Sequence, residues 1–185
     1  QLKKQLAYWN FMSKKIVFVI GLALIAAVLS NSTFVSAANL SQALATLPQD
    51  DEWSIMAHAA AGRTAGESYL KGSLAGGVAT DYEKRILAIT AIGRDPRNFG
   101  SENILEKLKG FFDGNQIGDP SLLNDDIFGV LALVSAGERG QIIERVRAHI
   151  LSKQNSDGGW GFASATGSDT NTTAVAIAAL KITGS

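Results

Sequence analysis

Carboxylates are the side chains of this sequence best placed for chemistry, because they gather where apolar runs begin. Asp125 and Asp126 form the densest pair, directly after Asn124. In such a position an aspartate can act as an acid or bind a ligand. It can also cap a helix, accepting hydrogen bonds from free backbone amides and favouring the positive end of the helix dipole. We interpret the whole group first as caps: Asp50, Asp51, Asp81, Asp125, Asp126 and Asp169.

Other reactive side chains are scarce. The chain has no cysteine, which excludes disulfides, thiol nucleophiles and cysteine-ligated metals. Its two histidines stand apart, His58 among alanines and His149 in an amphipathic segment, and we expect packed or surface roles for both. An EF-hand pattern is absent from the sequence. We therefore predict no metal and no cofactor.

Aromatic residues give a second kind of candidate. Trp53, Tyr82 and Phe128 are the aromatic side chains of the apolar runs, and we predict that they line a ligand-binding surface. The formal net charge of zero argues against a nucleic-acid partner. The expected ligand is a small apolar or glycan-like molecule, or a protein segment.

The apolar runs themselves must position these residues. Four of them end on Gly62, Gly93, Gly137 and Gly184, each with a polar residue at its start and a helix-length stretch rich in Ala, Leu, Ile and Val. A polar start and a terminal glycine are typical of a capped helix. We predict buried inner helices at residues 51–62, 81–93, 124–137 and 170–183. Amphipathic outer helices are predicted at 102–112 and 140–154, giving an all-α protein of two helical layers.

Residues 154–162 carry a family resemblance. They read QNSDGGWGF, which resembles the Gln-Trp repeat motif of the squalene-cyclase and prenyltransferase α/α toroids. The resemblance covers roughly residues 40–185 and implies an α/α toroid of helical hairpins. It also implies structural roles for Gln154, Asp157, Gly158 and Trp160, with the glutamine capping the next helix and the tryptophan stacked on it.

The same resemblance bears on catalysis. Squalene-type cyclases protonate an alkene with an Asp-any-Asp-Asp motif, because that step needs a strong carboxylic acid held by neighbouring carboxylates. Asp125 and Asp126 are the nearest equivalents here, and the first aspartate is replaced by Leu123. They are weak catalytic candidates. Prenyltransferases and thioester domains both require a cysteine, which this chain lacks.

Only four glycine-terminated segments are present, fewer than a closed ring of this family has. We therefore predict a partial, open toroid over residues 38–185. Its last inner helix should keep an apolar face without a partner, and Val175, Ile177 and Leu180 are the residues to inspect.

The N-terminal residues resemble an export signal. Residues 12–37 contain Lys14 and Lys15, an apolar run from Ile16 to Leu29, and small residues around Ala37. We expect cleavage after Ala37 or Ala38, with an uncleaved membrane anchor as the alternative. Residues 1–11 are interpreted as upstream sequence. The remaining chain keeps 13 basic and 17 acidic side chains, a net charge of about −4.

These observations favour an exported, secreted or cell-surface protein whose repeat domain binds a ligand or a partner without catalysis. The alternative is a terpenoid cyclase, or a fragment of one. Few aromatic residues lie on the apolar runs, whereas a cyclase needs aromatic rings to stabilise cations, so the binding module is preferred.

Overall fold

The computed structural model describes residues 37–74 and 77–184, and every regular element in these ranges is an α-helix. Contacts divide the chain into two compact units, Gln1–Thr46 and Leu47–Ser185. Helix α1 (Ala37–Ala45) belongs to the first unit and all other helices belong to the second. The described ranges contain no strand, and their only β-type pairs are the isolated bridges Phe112–Ile117 and Leu122–Ala163. The all-α prediction is confirmed.

The second unit contains seven described helices, four of which correspond to the predicted inner helices. Those four are α2 (Glu52–Ala60), α4 (Ala79–Ala91), α6 (Leu123–Ser135) and α8 (Thr170–Ile182). The predicted outer helices appear as α5 (Ile104–Lys109) and α7 (Gln141–Ser152). One further turn, α3 (Glu67–Leu70), lies in a segment from which no long helix was expected.

We call α2, α4, α6 and α8 the glycine-terminated helices, because their ends are built alike. The four glycines that follow them, Gly62, Gly93, Gly137 and Gly184, all have positive φ, between 73° and 97°. After the first three, the next residue donates its backbone N–H to the carbonyl five residues back, as Arg94 does to Ile89 (3.0 Å). Other residue types are strained at this φ, so glycine fixes where each helix ends.

The glycine-terminated helices pack against one another in chain order, α2 on α4, α4 on α6 and α6 on α8. Helices α3 and α5 pack against α4, and α7 packs against α6. Two hydrogen bonds show that α4 and α6 run parallel. Thr80 Oγ1 donates to Asp125 Oδ1 (2.9 Å) where both helices begin, and Thr90 Oγ1 donates to Ser135 Oγ (3.2 Å) where both end.

Apolar packing follows the same order. A large buried cluster joins α4 through α8 and includes Ile86, Leu108, Val130 and Ile150. A smaller cluster of Ile55, Leu70, Ala88 and Ile89 joins α2, α3 and α4. The prediction that these helices are buried on every side is wrong at one surface of α2, where Trp53 is 51% exposed.

The last helix keeps an exposed apolar face. Of the three residues chosen from the sequence, Leu180 is buried, Val175 is half-buried and Ile177 is 56% exposed. Ala174 and Ala178 on the same helix are also exposed. The expectation of an unpartnered apolar face on α8 therefore holds at Ile177 and fails at Leu180.

The predicted upstream segment (1–11) and almost all of the predicted signal peptide (12–37) lie outside the described residues. The proposed cleavage sites fall at the first residues of α1. In residues 37–74 and 77–184, no helix combines the length and the apolar character needed to cross a bilayer.

Candidate functional site

Two of the three predicted aromatic residues meet on one side of α4. The rings of Trp53 on α2 and Phe128 on α6 lie 5.9 Å apart between centroids, inclined at 81° in an edge-to-face contact. Helices α2 and α6 both pack against α4, and the two rings meet beside it. Trp53 remains half-exposed in this arrangement and Phe128 is half-buried.

The repeat explains why these residues share a surface. Trp53, Lys84 and Phe128 each lie nine residues before the glycine that ends their helix. One turn later, six residues before the glycine, come the half-buried Met56, Leu87 and Leu131. Equivalent positions on parallel neighbouring helices point to the same side. We call these six residues the aromatic surface: Trp53, Met56, Lys84, Leu87, Phe128 and Leu131.

Charge at this surface is confined to one edge. Lys84 Nζ lies 3.2 Å from Asp81 Oδ1, and this ion pair is partly exposed. Asp51 caps α2 by accepting a hydrogen bond from Ser54 N (2.8 Å). Hydrogen bonds from the side chain and then the backbone of Ser54, with a smaller contribution from the charge of Lys84, lower the pKa of Asp51. The surface thus offers one exposed ring, one half-buried ring and aliphatic side chains beside a charged edge.

Tyr82, the third predicted lining residue, does not belong to this surface. It is buried, and its ring lies 5.5 Å from that of Phe111, at the end of the segment containing α5. The reason is angular: Tyr82 precedes Lys84 by two residues, which turns it about 200° around the helix. Tyr82 therefore faces the apolar core.

Asp125 and Asp126 both accept hydrogen bonds from the loop that precedes α6. Asp125 accepts hydrogen bonds from Thr80 Oγ1 (2.9 Å) and from Asp119 N (3.0 Å). Asp126 accepts one from Ile117 N (2.9 Å). Both carboxylates are buried, and Leu122, the residue just before α6, provides no side-chain cap. The capping prediction is correct for Asp51 and Asp169, and wrong for Asp125 and Asp126.

Glu83 completes a buried group of acids that sequence analysis missed. Its side chain is 0% exposed, and neither carboxyl oxygen has a hydrogen-bond partner. Burial, with smaller contributions from Asp125 and Asp126, raises the pKa of Glu83 to about 9. Burial likewise raises the pKa of Asp126 to about 7. Ten residues before the terminal glycine, the four helices carry Glu52, Glu83, Ile127 and Ala174. Two helices thus place an acid where the other two are apolar, and this contrast is the sequence signal that could have revealed Glu83.

The chemistry of this group differs from that of a cyclase acid. A carboxyl group that holds its proton up to pH 9 is a weak donor, whereas protonating an alkene requires a strong one. Glu83 is also sealed from solvent by its neighbours, since Gly129 on α6 leaves the space that Glu83 and Ile117 fill.

The two histidines take packed positions. His149 Nε2 lies 3.6 Å from Asp126 Oδ2, and neither atom has a hydrogen-bond partner. Burial and the nearby Lys153 lower the pKa of His149, which favours a neutral ring. His58 is buried on α2. Within the described ranges, no three His, Asp or Glu side chains are grouped so that they could hold a metal ion.

The Gln-Trp segment forms a loop between α7 and α8. Trp160 is buried, and its indole Nε1 donates to the carbonyl of Ile150 on α7 (2.8 Å). Its backbone N–H donates to Thr173 Oγ1 on α8 (2.9 Å). Asp157 Oδ1 accepts from Gly159 N (3.0 Å) and from Ser168 Oγ (2.7 Å). Trp160 thus links the two helices that flank the loop.

Gln154 does not cap the following helix, so this part of the prediction is wrong. Its Nε2 donates to the carbonyl of Gly158 (2.8 Å), inside the same loop, and the side chain is exposed. Asp169 caps α8 instead, accepting from Thr172 N (2.7 Å). Phe162, which ends the motif, is 51% exposed.

We expect Gln154→Ala to lower the free energy of unfolding by only about 0.5–1.5 kcal/mol, the usual net contribution of one hydrogen bond. Chemical denaturation followed by circular dichroism measures this change. Gln141→Ala, at an exposed glutamine on α7, is the matched control. A loss well above this range would show that Gln154 holds more than its own loop.

No family model, curated protein or solved structure matches the chain.

Proposed function

We propose that the second unit is part of an α/α toroid-type array of helical hairpins, serving as a non-catalytic binding module of an exported protein. The toroid proposal is supported by the chain-order packing of the glycine-terminated helices, with α5 and α7 packed against α4 and α6. Export is supported by Lys14 and Lys15 followed by the uncharged apolar run of residues 16–29.

One observation carries the binding role: Trp53 is 51% exposed although it lies on a helix of the apolar core and contacts Phe128. About 100 Å² of its surface is open, and burying that area would contribute about 2–3 kcal/mol. Exposed aromatic groups with convergent apolar neighbours are typical of ligand sites. The aromatic surface supplies such neighbours in Met56, Leu87 and Leu131.

The surface favours a small apolar or glycan-like ligand, or an apolar protein segment. Rings that present an edge and a face can stack on either kind of molecule. Lys84 is paired with Asp81, and the chain has no net charge, so a nucleic-acid ligand is not favoured.

Fluorescence tests this proposal, because the chain has only three tryptophans: Trp9, Trp53 and Trp160. In a Trp9→Phe background, squalene, a polyprenol and a chitin oligosaccharide are titrated separately. We expect one class to shift the emission of Trp53 to shorter wavelength. Trp53→Ala should then weaken binding, measured by calorimetry, about 30–100-fold, the equivalent of the area that is lost.

Leu151→Ala is the matched control, because Leu151 is also an exposed apolar residue (40%) but lies on α7. Its binding should equal that of the unchanged chain. Binding that survives Trp53→Ala intact would contradict a role for the aromatic surface. A cyclised product from squalene that disappears in Asp126→Asn would support the terpenoid-cyclase alternative instead.

A further inference from the structure

One apolar position is exposed on α8 although the equivalent position is buried on the other glycine-terminated helices. Seven residues before the terminal glycine stand Ile55, Ile86, Val130 and Ile177. The first three are 0% exposed and lie on helices that pack against the next one in order, whereas Ile177 is 56% exposed. A groove of about 470 Å³ runs along this face, lined by the loop at Asp157 and by α8 from Thr170 to Ile177.

A complementary departure occurs on α2. Five residues before the terminal glycine, every one of these helices has an alanine: Ala57, Ala88, Ala132 and Ala179. The last three are 0% exposed, whereas Ala57 is exposed. Inside the chain, residues of the two rows lie in common buried clusters, Ile55 with Ala88 in one and Val130 with Ala179 in the other.

Polar groups at the two open faces also match. Where α4 meets α6, Thr80 donates a hydrogen bond to Asp125. The residues in the corresponding positions of the open faces are Asn171 on α8 and Asp50 before α2, and both are exposed. The amide of Asn171 can donate a hydrogen bond, as the Thr80 hydroxyl does, and the carboxylate of Asp50 can accept one, as Asp125 does.

We propose that these two faces bind each other between two copies of this chain. The α8 face around Ile177 of one copy packs against the α2 face around Ala57 of another. Such head-to-tail contact continues the junction already made three times within each chain, and it buries both open rows at once. An interface of this heterologous kind joins different surfaces of the two copies. The proposal is independent of the ligand discussed above.

Site-directed crosslinking tests the pairing, since the chain has no cysteine of its own. The full chain is prepared in mild detergent as two single variants, Ile177→Cys and Ala57→Cys. These are mixed and treated with a short bismaleimide. We expect several-fold more covalent dimer from the mixture than from either variant alone. Both substitutions are at exposed sites, and circular dichroism verifies that each variant is folded.

Leu151→Cys mixed with Ala57→Cys is the control for random collision and for association through other segments, because Leu151 is exposed on α7. It should give only background dimer. Dimer formed equally well by Ile177→Cys alone would overturn the head-to-tail arrangement in favour of a symmetric α8 contact. Background crosslinking in every mixture would overturn the proposal altogether.

Discussion

Replacing Arg85 with alanine is expected to lower the free energy of unfolding by about 3–5 kcal/mol, the usual effect of removing one partner of a buried ion pair. Arg85 Nε donates to Glu52 Oε1 (2.9 Å), and the two side chains are 4% and 9% exposed. Its Nη1 donates to three backbone carbonyls around α3, those of Tyr69, Leu70 and Gly72. One guanidinium therefore joins α2, α3 and α4, and its loss leaves a buried carboxylate without a counter-charge.

Urea denaturation followed by circular dichroism measures this loss, and Arg94→Ala is the matched control. Arg94 also pairs with a glutamate, Glu67 (2.8 Å), but its side chain is 54% exposed. Exposed pairs contribute about 0–1 kcal/mol. Similar losses in the two variants would contradict the importance given to burial at Arg85. In a double-mutant cycle, Glu52→Gln should recover part of the loss, because it removes the unpaired charge.

Stability is expected to fall as the pH rises through the neutral range, and Glu83 is the main cause. Burial raises its pKa from 4.5 to about 9, so the folded chain holds a proton that the unfolded chain releases. Its contribution to the free energy of unfolding is fully present below pH 4.5. That contribution falls as the pH rises toward 9, by up to about 6 kcal/mol. Asp126, with its pKa raised to about 7, acts in the same direction.

Glu83→Gln should remove most of this dependence, because an amide of the same shape cannot ionise. Unfolding free energies measured at several values from pH 5 to pH 9 give the slope. The variant should match the unchanged chain near pH 5 and exceed it increasingly toward pH 9. Glu106→Gln, at a glutamate side chain that is 61% exposed, controls for the loss of an acidic residue. Parallel slopes for Glu83→Gln and the unchanged chain would refute the assignment.

The helices could be predicted because their signals are local. The four terminal glycines and the apolar runs before them placed the glycine-terminated helices to within two residues at most ends. Helix α5 is shorter than the predicted 102–112, since Asn103 caps it by accepting from Glu106 N (3.1 Å) and Gly110 ends it. Local patterns determine where a helix begins and ends.

The site was less predictable, because its features depend on partners far away in sequence. Glu52 and Arg85 are 33 residues apart, and nothing around either residue indicates the other. The run Tyr82-Glu83-Lys84-Arg85 contains three charged residues and would ordinarily be solvated, yet only Lys84 of the three escapes burial. The sequence prediction places Tyr82 beside Trp53, but the residue of α4 equivalent to Trp53 is Lys84. Tyr82 lies two residues earlier and therefore on another side of the helix.

Loop chemistry explains the other corrections. Asp125 and Asp126 were expected to cap α6, but the preceding loop folds back and supplies the backbone amides of Asp119 and Ile117. Gln154 bonds to Gly158 because its own loop turns sharply enough to bring that carbonyl within reach. In both cases the competing donor or acceptor is set by loop conformation, which the residue pattern does not specify.

The parallel alignment of α4 and α6 has an electrostatic consequence. Each helix carries a macrodipole equivalent to about half a positive charge at its amino end, and parallel dipoles reinforce each other where antiparallel ones would cancel. Asp81, Asp125 and Asp126 lie at that edge, while Arg94 and Arg139 follow the carboxyl ends of the two helices. The three carboxylates thus face the summed positive field at the amino ends of α4 and α6.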